Sequence, residues 1–154
     1  MRPEDLVATL SQKLSTAVLV TGPDLQWPGP TIRWVNRAFL SLTGYCADDL
    51  IGRDPRMLQG PGTSRIAVSA FSRGLREAGE YHGVLTNHRR GGEPYLCEID
   101  VRPLRGPDGE PLAFVAFERE VTRRRGRPPA GTFGRYVPID ESTIGELPGV
   151  FVRG

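Results

Sequence analysis

Three stretches in the second half of the chain alternate apolar and polar residues, and two turn signals separate them. They cover residues 81–89, 94–104 and 112–122. Alternation with a period of two residues is typical of a half-buried β-strand. Gly91-Gly92 and the RGPDGEP stretch both suit a tight reversal of the chain. The pattern therefore predicts a three-stranded antiparallel meander, and it is the strongest constraint on the fold.

The first half of the chain predicts two short strands and then a block of helices. The strands cover residues 17–22 and 31–36. A short helix follows, with Asn36 as its N-cap and Gly44 just past its end. Two strands, helices and a meander in this order predict an α+β fold built on an antiparallel sheet.

A longer helix precedes the meander. Thr63 or Ser64 caps its start, and Gly79 ends it. Helical spacing predicts a buried face made of Ile66, Ala67, Ala70, Phe71 and Leu75.

Residues 1–16 predict an N-terminal flanking helix. Pro3 suits a first helical turn, and the acidic residues after it favour the positive end of the helix dipole. One apolar stripe runs along this helix and consists of Leu6, Val7, Leu10 and Leu14. The stripe either packs on its own domain or forms a dimer contact.

Residues 123–154 differ in composition from the rest of the chain. They begin with RRRGRPPAG, which is basic and then rich in proline and glycine, as linkers are. The stretch after it contains many apolar residues. This C-terminal tail extends along the sheet, docks in the groove of a partner or stays mobile, and the sequence leaves these three possibilities open.

Size and charge exclude several classes of protein. A chain of 154 residues predicts one domain with a real core. A net charge of +2 is too small to indicate a nucleic-acid partner by itself. No apolar run approaches the roughly 20 residues of a membrane span, and the N-terminus lacks the pattern of a signal peptide. We therefore expect a cytoplasmic protein with no membrane partner.

No catalytic or metal-binding pattern stands out. Cys46 and Cys97 fit no disulfide or metal spacing. His82 and His88 are interpreted as solvated strand residues, without the neighbouring ligands that a metal ion needs. Because no nucleophile–base pair or phosphate-binding glycine loop is recognisable, we expect a protein that is not an enzyme and binds no metal.

Three stretches carry a resemblance to a known family. They are WVNRAFLSLTGYCADDLIGRDPRMLQGPGTSR, NHRRGGEPY and FVAFEREVT. Together they resemble the PAS superfamily and, within it, the light-oxygen-voltage (LOV) branch of flavin-binding blue-light sensors. The resemblance covers residues 17–122. It implies a five-stranded antiparallel sheet with helices packed on one face, enclosing a small pocket.

The central motif departs from that family at its reactive atom. LOV domains carry a cysteine whose thiol adds to the flavin under blue light, and Pro55 stands at this position. Proline has neither a thiol nor a backbone N–H. Of the two arginines that hold the flavin phosphate in the family, Arg56 keeps the first, and Ser72 stands at the second.

The resemblance implies a candidate ligand pocket made of Arg56, Gln59, Asn87, Cys97 and Glu118. Gln59 and Asn87 match residues of the family, whereas Cys97 replaces an asparagine and Glu118 replaces a glutamine. Strand alternation places Cys97 on the apolar face of its strand. An inward carboxylate at Glu118 requires a cation such as Arg56 or Arg53, or a proton, or more exposure than the family position suggests.

These departures predict a sensory or scaffolding module that acts in signal transduction through protein–protein contacts, without a cysteinyl-flavin adduct. We expect no cofactor, a homodimer formed through the N-terminal helix and the outer sheet face, and an unidentified signalling protein as partner. The alternative is a flavin-binding redox or light sensor that holds FMN or FAD and works without an adduct.

Overall fold

The computed structural model describes residues 2–26, 29–126 and 134–151. The helices are α1 (Pro3–Ser11), α2 (Arg37–Thr43), α3 (Ala47–Leu50) and α4 (Arg65–Ala78), with 3-10 helices over Pro55–Leu58 and Glu141–Thr143. The strands are β1 (Ala17–Thr21), β2 (Ile32–Val35), β3 (Tyr81–His88), β4 (Pro94–Arg105), β5 (Pro111–Arg123) and β6 (Tyr136–Pro138). None of the described helices combines the length and apolar character needed to cross a membrane.

The six strands form one antiparallel sheet in the order β2-β1-β5-β4-β3, with β6 beside β5. The predicted α+β fold is confirmed, and β3, β4 and β5 form the predicted meander. All five predicted strands are present. The sixth strand, β6, comes from the C-terminal tail and pairs with residues 121–123 of β5. The tail therefore extends along the sheet, which was one of the three possibilities.

The strand register separates the sheet into two faces. Leu85 lies opposite Cys97, and Ile99 lies opposite Glu118, so these four residues share the inner face. The helices from α2 to α4 pack over this face, as the resemblance implies. The core between them contains Leu19, Ile32, Phe39, Leu50, Leu58, Leu75, Leu85, Ile99 and Phe114.

The α4 helix begins and ends where the sequence predicts. The Ser64 side chain accepts a hydrogen bond from the Ala67 amide, and Gly79 ends the helix with a φ of +73°. The predicted buried face is wrong at two positions. Ile66 is 85% exposed and Ala70 is exposed. Both lie one helical turn apart on the solvent side, because the buried face is centred on Val68, Phe71 and Leu75.

The outer face of the sheet is covered partly by α1. Val7 packs against an outer cluster formed by β1 and β5, and Leu14 joins it just after the helix. Leu6 and Leu10 point away from the sheet, and Leu10 is 72% exposed. The apolar stripe of the N-terminal helix is therefore divided. One half packs on its own domain, and the other half lies in solvent.

A buried asparagine connects α1 to the rest of the domain. The Asn36 oxygen accepts hydrogen bonds from the amides of Val18 and Phe39, at 2.9 and 3.0 Å. Its nitrogen donates to the carbonyl oxygens of Ser11 and Thr16, each at 3.0 Å. The side chain is fully buried and its hydrogen-bonding capacity is used, so it caps α2 and also anchors the end of α1.

The C-terminal tail also contacts the outer face of the sheet. Arg102 of β4 donates to the Gly149 carbonyl at 2.8 Å. The guanidinium carbon of Arg119 lies 4.1 Å from the centre of the Phe151 ring, which suits a cation–π contact. Together with α1, the tail covers much of the face that the homodimer prediction assigns to an interface.

Candidate ligand cavity

A cavity of about 900 Å³ lies between the inner face of the sheet and the helices. Its walls come from β1, β3, β4 and β5, from the 3-10 helix at Pro55–Leu58, and from α4. This size lies within the range of small-molecule sites. Four of the five predicted site residues, Arg56, Gln59, Asn87 and Glu118, line the cavity together with Pro55.

Cys97, the fifth predicted site residue, is fully buried in the core beside the cavity and is not among the residues that line it. Cys46 is exposed at the start of α3, where its Sγ lies 3.0 Å from an oxygen of Asp49. Neither cysteine therefore places its thiol on the wall of the cavity.

Local hydrogen bonds position the loop that carries Pro55, Arg56 and Gln59. Asp54 caps the 3-10 helix by accepting from the Arg56 amide at 2.8 Å, and Pro55 occupies the first turn. After Gln59 the chain runs against His88. A Cβ added at Gly60 would lie 2.7 Å from the His88 ring, so glycine permits this close approach. The loop is thereby held against β3 with Gln59 on the cavity wall.

Arg56 lies at the rim of the cavity and is already paired. Its Nη2 is 2.7 Å from a carboxylate oxygen of Asp54, and it also donates to the Gly29 carbonyl. The side chain is 44% exposed. Arg76 and Arg105, which sequence reasoning missed, also line the cavity and are exposed. Arg76 follows Ser72 by four residues and shares its helix face, a spacing that could have identified it.

Glu118 occupies the inner part of the cavity. It is 4% exposed, and its Oε2 has no hydrogen-bond partner within the described residues. Burial raises the pKa of Glu118 to about 8 because the charged form loses its hydration. Of the possibilities that the sequence raises for Glu118, protonation of its carboxyl group fits this burial. Pairing with Arg56 does not fit, because Arg56 pairs with Asp54.

Two further buried groups lie near Glu118 on β4. Burial raises the pKa of the Tyr95 hydroxyl and of the Cys97 thiol, and an ionised Glu118 would raise both further. Arg89 lies over the Tyr95 ring at 4.4 Å and pairs with Glu120 at 2.8 Å. Tyr95 and Cys97 are therefore neutral at physiological pH, and a neutral thiol is a weak nucleophile.

The prediction of solvated histidines is wrong. His82 lies on the outer face, with its Nε2 2.9 Å from Glu98, and its side chain is mostly buried. His88 accepts a hydrogen bond from the Gly62 amide at 3.3 Å and packs under the loop. Within residues 2–26, 29–126 and 134–151, no group of three or more His, Cys, Asp or Glu side chains is arranged to hold a metal ion.

The chain is similar to part of several longer proteins. It is 33% identical over 122 residues to a blue-light-activated histidine kinase of Rhizobium johnstonii, a match that covers 79% of the chain and 35% of the kinase. It is 29% identical over 120 residues to phototropin-1A of Oryza sativa subsp. japonica, covering 78% of the chain and 13% of the phototropin. The chain thus spans 35% of the kinase and 13% of the phototropin.

Solved structures agree with these matches. The LOV domain of the photoreceptor Aureochrome1 in its light state aligns with a TM-score of 0.65 and 29% identity, over 76% of this chain and 89% of that one. A LOV domain studied with a flavin analogue aligns with a TM-score of 0.66 and 27% identity, over 77% and 83% of the two chains. The family model described as PAS domain matches residues 16–123. The chain therefore belongs to the PAS domain family, with LOV-type sensors among its relatives.

Proposed function

We propose that this PAS domain is a sensory module that acts through protein–protein contacts and forms no cysteinyl-flavin adduct. The observation that carries the proposal is the position of Pro55 on the cavity wall, at the place where the resemblance puts the reactive cysteine. Proline offers no nucleophile. Neither Cys46 nor Cys97 compensates, because neither lines the cavity.

The β5 strand offers a route from the cavity to the outer surface. Glu118 faces the cavity and lies opposite Ala17 of β1 in the register. The next residue toward the N-terminus, Thr16, binds the side chain of Glu146 in the tail. A change in the cavity that shifts β5 against β1 would therefore reach both chain ends, and these would change their contacts with a partner.

The partners in this proposal are a second copy of the chain and a signalling protein. Leu6 and Leu10 on the free side of α1 support the dimer, because an exposed apolar pair on a helix suits a contact between two copies. The outer sheet face contributes only where α1 and the tail leave it open.

The absorption spectrum of the purified full chain under blue light tests the absence of an adduct. We expect no reversible bleaching and no thioether by mass spectrometry of the illuminated protein. The Pro55→Cys variant is the matched comparison, since it restores the thiol on an otherwise unchanged cavity wall. Reversible bleaching of the unmodified chain through a covalent flavin bond would refute the proposal.

A second candidate function is a flavin-based redox or light sensor without an adduct. Arg56, Gln59 and Asn87 line the cavity and match positions that hold the flavin in the LOV family, and the relatives include blue-light-activated proteins. Against it, Arg56 is the one phosphate arginine retained, and Glu118 presents a carboxyl group where the family has an amide. A bound flavin would supply one-electron chemistry. FMN or FAD released from the purified protein and identified by mass would favour this candidate.

A further inference from the structure

The inner end of the cavity contains a carboxyl group without a counter-charge. Oε2 of Glu118 is buried and has no hydrogen-bond partner among the residues that the structure describes. A buried polar group normally has a partner, and an exception points to a missing ligand, ion or water. Since Glu118 lines a cavity of about 900 Å³, there is room for that partner to be a small molecule.

The cationic side chains that line the cavity are Arg56, Arg76 and Arg105, and all three are exposed. Arg56 binds Asp54 and the Gly29 carbonyl. Arg89 pairs with Glu120, and Arg105 donates to the Gly109 carbonyl at 2.8 Å. In the described part of the chain, no ion pair involves Glu118. The protein therefore supplies a buried acid at one end of the cavity and keeps its guanidinium groups at the rim, where solvent screens them.

The walls of the cavity suit a flat ring. Phe71 of α4 and Phe114 of β5 line the cavity, and so do the aliphatic residues Leu85 and Ile99. Ile99 lies opposite Glu118, whereas Phe114 lies four residues away along β5. A ring that reaches from Glu118 along the cavity would therefore meet aromatic side chains, which favour contact with other rings. The titratable groups that face Glu118 from β4 are Tyr95 and Cys97, and both are neutral at physiological pH. Within the described residues, a cation at this point would meet one acid that no ion pair already occupies.

We propose that the cavity binds a planar cationic ligand, an aromatic ring bearing an amidine or protonated amine, with its charged end against the Glu118 carboxylate. This proposal rests on the proposed sensory function, because it names the class of molecule that the module would sense. The pair would form two charge-assisted hydrogen bonds, which are stronger than neutral ones and gain further strength away from water. The carboxyl proton leaves to solvent as the cation enters.

Benzamidine and benzamide provide the test, since they share ring, size and shape and differ in charge. Titration of the full chain followed by NMR should show benzamidine binding at least about tenfold more tightly, the factor that a charged hydrogen bond provides. Glu118→Gln should abolish this preference. Glu120→Gln is the matched control, because Glu120 lies on the same strand, is paired with Arg89 and does not line the cavity.

A second measurement does not depend on any variant. The carboxyl ¹³C resonance of Glu118 should move to its ionised position when benzamidine binds at neutral pH, and should stay in place with benzamide. Equal or tighter binding of benzamide would overturn the proposal in favour of a ligand that accepts a hydrogen bond from the protonated acid. Binding of neither probe would also overturn this proposal. The proposed function without an adduct is tested independently, by the absorption spectrum of the illuminated protein.

Discussion

Glu146 in the C-terminal tail binds Thr16 through two hydrogen bonds, although 130 residues separate them. One Glu146 oxygen accepts from the Thr16 amide at 2.7 Å and from its hydroxyl at 2.6 Å. The other oxygen accepts from the Ser15 amide at 2.6 Å. These bonds join the segment between α1 and β1 to the segment after β6, so both chain ends meet on one side of the sheet.

Replacing Glu146 by glutamine should loosen this junction. An amide cannot accept from all three donors as a carboxylate does, and we expect a loss of about 1–2 kcal/mol in the free energy of unfolding. Amide hydrogen exchange should accelerate at Ser15 and Thr16. Glu141→Gln, an exposed change in the neighbouring 3-10 helix, should leave both quantities unaltered. Unchanged exchange at Thr16 in the Glu146 variant would contradict the assigned contact.

Replacing Asn36 by alanine should destabilise the whole domain. The change leaves the amides of Val18 and Phe39 without their hydrogen-bond acceptor and removes the donor to two carbonyl groups. Because these groups are buried, we expect a loss of about 3 kcal/mol in urea denaturation. Ser64→Ala removes one exposed N-cap bond and should cost about 1 kcal/mol. Similar losses for the two variants would show that the Asn36 junction contributes no more than an ordinary cap.

The raised pKa of Glu118 predicts a pH dependence of stability. The folded state holds this proton up to about pH 8, whereas the unfolded chain releases it near its ordinary pKa of 4.5. Between these values the folded state binds more protons, so stability falls as pH rises through this window. The full contribution is present below pH 4.5 and is lost above pH 8. The expected cost at the upper end is on the order of a few kcal/mol.

Urea denaturation from pH 5 to 9 measures this effect as the difference between the unmodified chain and Glu118→Gln. Glu98 acts in the opposite sense: burial opposes its charge, but hydrogen bonds from His82 and Arg119 hold its pKa below the usual range. Because both proteins contain Glu98, its contribution cancels in the difference between their free energies of unfolding. A difference that stays constant with pH would show that Glu118 is ionised or solvated in the folded state.

Replacing Leu10 by glutamate should weaken self-association. Leu10 is exposed on α1, so a charge there disturbs an intermolecular contact without entering the core. Sedimentation should show a dimer for the unmodified chain and a monomer for the variant, with equal thermal stability. Ile66→Glu places the same charge on exposed α4 and should remain dimeric. A monomeric unmodified chain at high concentration would reject the proposed interface.

Local chemistry predicted much of the fold. Period-two alternation identified β3, β4 and β5, and Asn36, Gly44 and Gly79 marked helix ends because their backbone roles are specific. The buried face of α4 was harder to predict. The sequence offers apolar residues on both sides of this helix, and only packing on the sheet shows that Val68 and not Ile66 faces inward.

The direction of a site side chain was predictable where strand alternation determines it. Contacts between residues far apart in the sequence were not predictable. Alternation correctly turned Glu118 and Cys97 toward the inner face. It could not tell that Cys97 packs beside the cavity and that Arg56 is taken up by Asp54, because both facts depend on three-dimensional neighbours. The binding of Glu146 to Thr16 has no local sequence signal at all.

The placement of β6 affects how the protein resists aggregation. β1 hydrogen-bonds to residues 114–118 of β5, and β6 takes residues 121–123 on the same side. Without β6, that stretch of backbone would present bare donors and acceptors, which recruit strands from other molecules. The tail thus protects this edge of β5 against edge-to-edge aggregation. We expect chains that lack the tail to form intermolecular sheets more readily than the full chain.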